Sequence, residues 1–438
     1  MLKLDFYVMK QLQRHLKSLY PYQIDVYHIN FSKEVSLIRF VQNLKQTKMK
    51  KRIFRYIKHL IATILIIGIA GILFGLYHGA SLHYGDNPLM YKIGNEGPYV
   101  FYKNDSILNV NYVKGNKDDG FYVDKKEYLV NSEIIAKSYF QIDSTSFNFK
   151  INSDIKNPKT IYNDENPIIA ISDIEGGYKT FRDFLINSKV IDKNLNWTFG
   201  KGHLVLVGDF VDRGWSVTQV LWFIYKLEQD ATKQGGYVHF IIGNHELKNM
   251  QGDYGASAEK YLAIVNILGK VQSELYNSNS FLGKWLSSKN ALELINGNLF
   301  AHGGIHPDIA DSELNLDEIN SIIRANYYKP YYPKKGNTAE QLLISTKDGI
   351  CWYRGYFKGD LTQEQVELGL NKFNAKSIVV GHTLQSKVNR QYNGKVIGID
   401  VKHPKDYHKN WPNGKSEGLL IKGNKYYRVF ANGDKKVM

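Results

Sequence analysis

His203-Leu204-Val205-Leu206-Val207-Gly208-Asp209-Phe210-Val211-Asp212-Arg213-Gly214 is the stretch on which the fold turns. An apolar run without polar alternation marks a strand buried on both faces. Gly208 permits a sharp backbone turn, and a loop carrying Asp209, Asp212 and Arg213 follows at once. The same phrase recurs along the chain. Strand-like runs at 167–171, 237–242, 298–301 and 377–380 lead into four further loops. These are Ser172-Asp173-Ile174-Glu175-Gly176-Gly177, Gly243-Asn244-His245-Glu246, His302-Gly303-Gly304 and Gly381-His382-Thr383. Helical stretches at 180–187, 216–229, 256–268 and 364–373 lie between the strands, and the alternation predicts an α/β fold.

In such sheets ligands gather where loops leave the carboxyl ends of strands. Converging Asp, Glu, Asn and His side chains form a mixed oxygen and nitrogen donor set suited to divalent metals such as Mn or Fe. One polar loop after a strand is ordinary; five, each bearing a ligand-type side chain, point to a site.

The rest of the chain is ordinary in composition. Its 438 residues are 43% hydrophobic and 23% charged, with 37 Gly and 10 Pro. That excludes collagenous, coiled-coil and wholly disordered chains. The single cysteine, Cys351, excludes a disulfide framework or a Cys-cluster zinc site. It also cannot serve a cysteine-dependent phosphatase loop, because position 357 is Phe rather than Arg. The net charge of +15 sits mostly at the N-terminus, where residues 1–59 carry thirteen Lys/Arg against Asp5, Asp25 and Glu34. The remainder is close to neutral, so no nucleic-acid partner is expected.

Leu60 to Leu76 reads LIATILIIGIAGILFGL, an uncharged run preceded by Lys48-Met49-Lys50-Lys51-Arg52-Ile53-Phe54-Arg55. A helix of this length covers about 25 Å of bilayer. Lys92 is the one basic residue just beyond it, so the positive-inside rule keeps the tail in the cytoplasm and exports the remainder. A leader cleaved at His78-Gly79-Ala80 is the competing reading, but the apolar run is long for one and the cleavage site poor. The expected organisation is a basic cytoplasmic tail at 1–56, a transmembrane anchor in the bilayer at 57–80, a β-rich segment at 81–160 and the catalytic domain at 161–438. The β-rich segment is either a spacer or extra strands laid onto the main domain. The catalytic domain would face the periplasm or cell exterior.

Taken together, Asp-x-Glu-Gly, Gly-Asp-x-Val-Asp-Arg-Gly, Gly-Asn-His-Glu, His-Gly-Gly and Gly-His resemble the calcineurin-like metallophosphoesterases. The Asp-Arg-Gly and Asn-His-Glu forms resemble the phosphoprotein-phosphatase-type branch. Trp352-Tyr353-Arg354-Gly355 followed by Gly381-His382-Thr383 is similar to its bacterial, Shewanella-like members. The resemblance implies a four-layer α-β-β-α sandwich with two bridged divalent metals drawn from Mn, Fe, Zn or Mg, Mn favoured. By position, Asp173 and Glu175 would hold the first metal, Asp209 would bridge, and Asn244, His302 and His382 would complete the second. A bridging hydroxide would attack a phosphomonoester. Arg213 and Arg354, together with Asn244, would bind the phosphate, and His245 steadied by Asp212 would protonate the leaving oxygen.

Two positions depart from the family pattern. The family has Asp-x-His where this chain has Glu175, a harder ligand that favours Mn, Fe or Mg over zinc. Protein-dephosphorylating relatives carry Arg before Gly-Asn-His-Glu, and here it is Ile242. The expected activity is therefore phosphomonoester hydrolysis, with a phosphoprotein among the candidate substrates. Alternatives are a dinucleoside polyphosphate or nucleotide hydrolase, and a silent phosphate-binding scaffold. His203 and His239 read as core histidines, His306 as a loop residue lining the cleft, and Cys351 as a small buried side chain.

Overall fold

A computed structural model describes residues 11, 14, 25–78, 80, 82–84, 93–330, 338–359, 361–407, 409–411 and 414–438. Most of the tail at 1–24, together with Gly79 and Lys92, lies outside the described residues. The chain divides into two compact units, Met1–Ala80 and Ser81–Met438.

The first unit contributes one long helix, α1 (Asp25–Tyr77). Among the described residues it is the one helix long and apolar enough to cross a membrane, by length and composition. Leu60, Ile64, Ile67 and Leu73 are all exposed along it. Its polarity is segregated along its length rather than around its circumference, so it has no core-facing stripe.

The second unit opens with β1 (Leu82–Tyr84), then β2 (Glu96–Asn104), β3 (Ile107–Asn116) and β4 (Gly120–Leu129). A hairpin of β5 (Ile134–Phe140) and β6 (Thr145–Ile151) follows. Next come β7 (Ile161–Tyr162), β8 (Ile168–Ile171), α2 (Tyr178–Asn187), β9 (His203–Val207) and α3 (Val217–Lys233). β10 (Tyr237–Ile241) leads into α4 (Asn244–Gln251) and α5 (Glu259–Leu268). After α6 (Phe281–Ser287) the chain forms β11 (Leu292–Ile295), β12 (Asn298–Ala301), α7 (Pro307–Ala310) and α8 (Leu316–Arg324). Three short helices, α9 (Ala339–Leu343), α10 (Gly355–Lys358) and α11 (Gln363–Lys372), precede β13 (Ser377–Val380). The chain ends with β14 (Asn389–Gln391), β15 (Val396–Gly398), β16 (Lys409–Trp411), β17 (Glu417–Lys422), β18 (Lys425–Phe430) and β19 (Lys435–Val437).

Two mixed six-stranded sheets organise these elements, in the orders β10-β9-β8-β17-β18-β19 and β14-β15-β13-β12-β11-β7. β8, β9 and β10 run parallel in the first, and β12, β13 and β15 run parallel in the second. Side chains alternate across each strand. Ile168, Ala170, Val205 and Val207 cluster with Phe300, Val379 and Ile397 of the other sheet. Ile169, Ile171, Leu204 and Leu206 turn the other way and join Phe181, Leu185, Val220 and Phe223 of α2 and α3. Burial on both faces explains the unbroken apolar runs, and each such side chain contributes about 1.5–3 kcal/mol.

The β-rich segment is laid onto α3. Trp222 Nε1 donates to the Pro98 carbonyl at 2.8 Å, and Phe149 stacks on Trp222 with centroids 4.7 Å apart. A buried ion pair joins Lys260 of α5 to Glu96 of β2 at 2.9 Å. Arg182 of α2 reaches Asp143 beside the β5–β6 hairpin at 2.7 Å. The strands read from sequence are present, as are the four helices with shifted ends. One expectation changes: Asn244-His245-Glu246 is the first turn of α4 rather than a loop. Glu246 drives that, because its carboxylate accepts from the Gly243 N–H at 2.9 Å and caps the helix start.

Candidate active site

Asp173 follows β8, Asp209 follows β9, Asn244 follows β10, His302 follows β12 and His382 follows β13. Strands of both sheets thus deliver their loops to one place. Backbone bonds lace the loops together: Asp173 N to Gly208 O at 3.0 Å, Glu175 N to Asp209 O at 3.0 Å and Gly381 N to His302 O at 2.9 Å. The close approach demands glycine. A Cβ on Gly208 would stand 2.5 Å from His302 Nδ1, and one on Gly381 would stand 2.6 Å from Asp173 Oδ2. Asp173, Glu175, Asp209, Asp212, Arg213 and His382 all adopt positive φ, between 48° and 67°. Left-handed backbone at six non-glycine residues is strain concentrated where function is expected.

The imidazoles are aimed by their second nitrogens. His302 Nδ1 lies 2.7 Å from the Val207 carbonyl, which can only accept, so the proton sits on Nδ1. Its Nε2 is left facing Asn244 Oδ1 at 3.0 Å and Asp209 Oδ2 at 3.1 Å. His382 Nε2 donates to the Trp352 carbonyl at 3.0 Å, which turns Nδ1 inward, where Arg354 Nη2 lies 3.5 Å away. Ligand atoms of Asp209, His302 and His382 all lie within 4.8 Å of one another, and all three residues are buried. With Asn244 they offer two imidazole nitrogens and two oxygens, a donor set that fits a divalent cation.

Charge is crowded here. Burial, then the Asp400 carboxylate, pushes Asp173 well above the usual carboxylate range. Burial opposes ionisation of Asp209 too, but the His302 and His245 imidazoles outweigh it and hold Asp209 well below that range. Burial pulls His302 down while Asp209 raises it further, to about 9. Burial, then His302 and Arg354, keeps His382 well below the ordinary imidazole value.

Beside this set stands an acid–base pair. His245 Nδ1 contacts Asp212 Oδ2 at 2.7 Å, and Asn249 donates to Asp212 Oδ1 at 2.8 Å. Arg213 Nη2 lies 3.0 Å from His245 Nε2. Burial lowers His245, but Asp209 and Asp212 more than offset it and its net shift is upward. Arg354 donates to the His382 carbonyl. It also lines an open cleft of about 540 Å³ with His306, Trp352, Tyr353, Lys347 and Lys358. His306 accepts from the Asp308 N–H at 3.2 Å and caps α7.

All ten residues picked out from the sequence therefore meet at one end of the sheets. Three further participants lie outside that set. Glu246 accepts from the N–H groups of Asp209, Phe210 and Val211 at 2.9, 2.8 and 3.2 Å and fixes the Asp209 loop. Asp400 is buried next to the others, pushed up to about 7 by burial and then by Asp209. Lys405 contacts Glu175 Oε2, while Arg213 takes Glu175 Oε1. Asp400 repeats the strand-then-acid pattern after Gly398-Ile399, a signal masked by the three-residue length of β15.

Residues 166–386 match the calcineurin-like phosphoesterase family. The chain belongs to that family. In fold it is similar to the cold-active protein-tyrosine phosphatase of a psychrophilic Shewanella species. The TM-score is 0.68 at 30% identity, covering 78% of this chain and 98% of that one. It is 30% identical over 226 residues to Shewanella-like protein phosphatase 1 of Plasmodium berghei, spanning 50% of this chain and 61% of that relative's length. It is 25% identical over 289 residues to Shewanella-like protein phosphatase 2 of Arabidopsis thaliana, spanning 53% of this chain and 70% of the relative.

Proposed function

We propose that the second unit is a metal-dependent phosphomonoesterase that acts on phosphorylated proteins. The observation that carries this is the convergence of Asp209, Asn244, His302 and His382, with His245–Asp212 and two arginines beside it. A divalent cation held by those four side chains would supply Lewis acidity towards phosphoryl oxygens and acidify water. Mn is favoured because two oxygen and two imidazole donors suit it. A second cation, as in the family's pair, would have to be sought at Asp173, Glu175 and Asp209.

The chain's own residues supply the rest. Arg354 and Arg213 present planar forks that match two phosphoryl oxygens. In the structure Arg213 donates to His245 Nε2. Once Arg213 turns to the phosphate, Nε2 takes up a proton that Asp212 stabilises through Nδ1. That proton is given to the departing oxygen. The aromatic and basic lining of the cleft supports an aryl or peptide phosphate, and names of similar proteins include both a tyrosine phosphatase and protein phosphatases. The division of apolar contacts across each strand supports a four-layer sandwich.

Hydrolysis of p-nitrophenyl phosphate, phosphopeptides and nucleotides by the metal-stripped and Mn²⁺-loaded chain tests this reading. Mn²⁺-dependent turnover with phosphopeptides preferred supports it. Nucleotide preference would move the assignment to a nucleotide hydrolase, and no turnover to a binding protein.

The location is proposed from the first unit. The exposed apolar run of α1 and the basic run before it support a single-pass anchor with the N-terminus inside and the catalytic unit outside. Protease added to spheroplasts should release the catalytic unit; a protected unit would place it in the cytoplasm.

A further inference from the structure

Glu175 stands where the family carries an imidazole, and its surroundings differ from those of the other donors. His302 and His382 each keep one nitrogen turned inward. Glu175 keeps neither oxygen, since Lys405 takes Oε2 and Arg213 takes Oε1. The two contacts are unlike. The Arg213 side chain is 53% exposed and can swing to a phosphate, whereas Lys405 and Glu175 are 14% and 12% exposed.

Lys405 is also held from both sides. His403 Nδ1 meets Ser416 Oγ at 2.7 Å and its Nε2 meets the Ser172 carbonyl at 3.0 Å. Thr180 Oγ1 donates to the Pro404 carbonyl at 2.9 Å, and the Lys179 N–H donates to Asp406 at 3.3 Å. The residues on each side are thus tied to the β8 loop and α2, the same segment that carries Asp173 and Glu175.

We infer that the Lys405 ammonium takes the place of the first metal ion, neutralising Asp173 and Glu175, so that the chain holds a single tight cation at Asp209, Asn244, His302 and His382. Replacing a neutral imidazole with Glu175 adds one negative charge, and Lys405 supplies the matching positive one. Glu175 Oε2 is then not free to ligate without expelling a buried ammonium, which is costly once its counter-ion is lost, and a cation on Oε1 would stand beside that positive charge. The inference rests on the phosphoesterase reading above and sharpens it: Lys405 is a positioning residue that sets metal stoichiometry.

The test is metal content of the full chain in detergent, stripped with chelator, titrated with Mn²⁺ alone and passed through a desalting column. Wild type should retain about one Mn²⁺ per chain, and Lys405→Met about two. Lys405→Arg keeps the cation and should stay at about one. If Lys405→Met fails to fold, Lys405→Met combined with Glu175→His restores the family's ligand and should also reach two. Two Mn²⁺ in wild type, or an unchanged count in every folded Lys405→Met variant, would overturn the inference. Two Mn²⁺ with normal p-nitrophenyl phosphate turnover would overturn it alone, whereas no Mn²⁺ and no turnover would overturn the phosphoesterase reading.

Discussion

Among the described residues of the second unit, a row of imidazoles and carboxylates around His203 and His239 is fully paired, whereas the cluster around His302 and His382 is not. In the first, His203 Nε2 meets Asp164 at 2.9 Å, His203 Nδ1 meets His239 Nε2 at 2.9 Å, and His239 Nδ1 meets Glu293 at 2.7 Å. Every ring nitrogen is spent on a neighbour in that row. In the second, His302 and His382 each spend one nitrogen on a backbone carbonyl and keep the other facing Asp209. Backbone strain differs as well. Positive φ occurs at Asp173, Asp209 and His382 but not at His203 or His239. Residue type alone does not make a site; leftover donor atoms on a strained, glycine-relieved frame do.

The largest expected effect that separates the clusters is at His245. His245→Gln should lower turnover by roughly 10²–10⁴-fold with metal content intact. The loss should be smaller for p-nitrophenyl phosphate, whose leaving group needs little protonation, and larger for alkyl phosphates. Equal losses would remove His245 from the acid role.

At the other cluster the expected loss is in stability. His239→Ala strands His203 and the fully buried Glu293 and should cost about 3–5 kcal/mol, read as a fall in denaturation midpoint. Turnover per folded molecule and Mn²⁺ content should not change. A variant that lost metal would mean the clusters are coupled.

The smallest effect concerns protons. His302 is raised to about 9 by Asp209, so the metal-free form carries that proton at neutral pH. Metal binding must expel it, and Mn²⁺ affinity should rise by roughly tenfold per pH unit between about 7 and 9. Calorimetry in buffers of different ionisation enthalpy should show about one proton released. A pH-independent affinity would remove His302 from the ligand set.

The contrast also explains what the sequence disclosed. Parallel strands buried on both faces write unbroken apolar runs, so 168–171, 203–207 and 377–380 were legible along with the loops they deliver. β11 reads LELI, with Glu293 breaking its apolar run, and β15 is only three residues long. β18 reads KYYRVF, partly exposed and without a clean alternation. His203 and His239 were legible as core because they sit inside apolar strands. Lys405 was not, since its meaning comes from Glu175, 230 residues away. The capping role of Glu246 is not legible, because its partner, Gly243, gives no side-chain signal.

Asp209 tests the central claim most directly, because among the described residues it is the carboxylate that meets both His302 and His245. The measurement is p-nitrophenyl phosphate turnover together with Mn²⁺ content for the wild type and Asp209→Asn, each stripped and then reloaded. The strand-end cluster as a metal-dependent phosphoesterase centre predicts restoration by Mn²⁺ in the wild type, and loss of both metal and activity in Asp209→Asn. Near-normal turnover with retained metal in Asp209→Asn, or equal turnover of stripped and reloaded wild type, would contradict it.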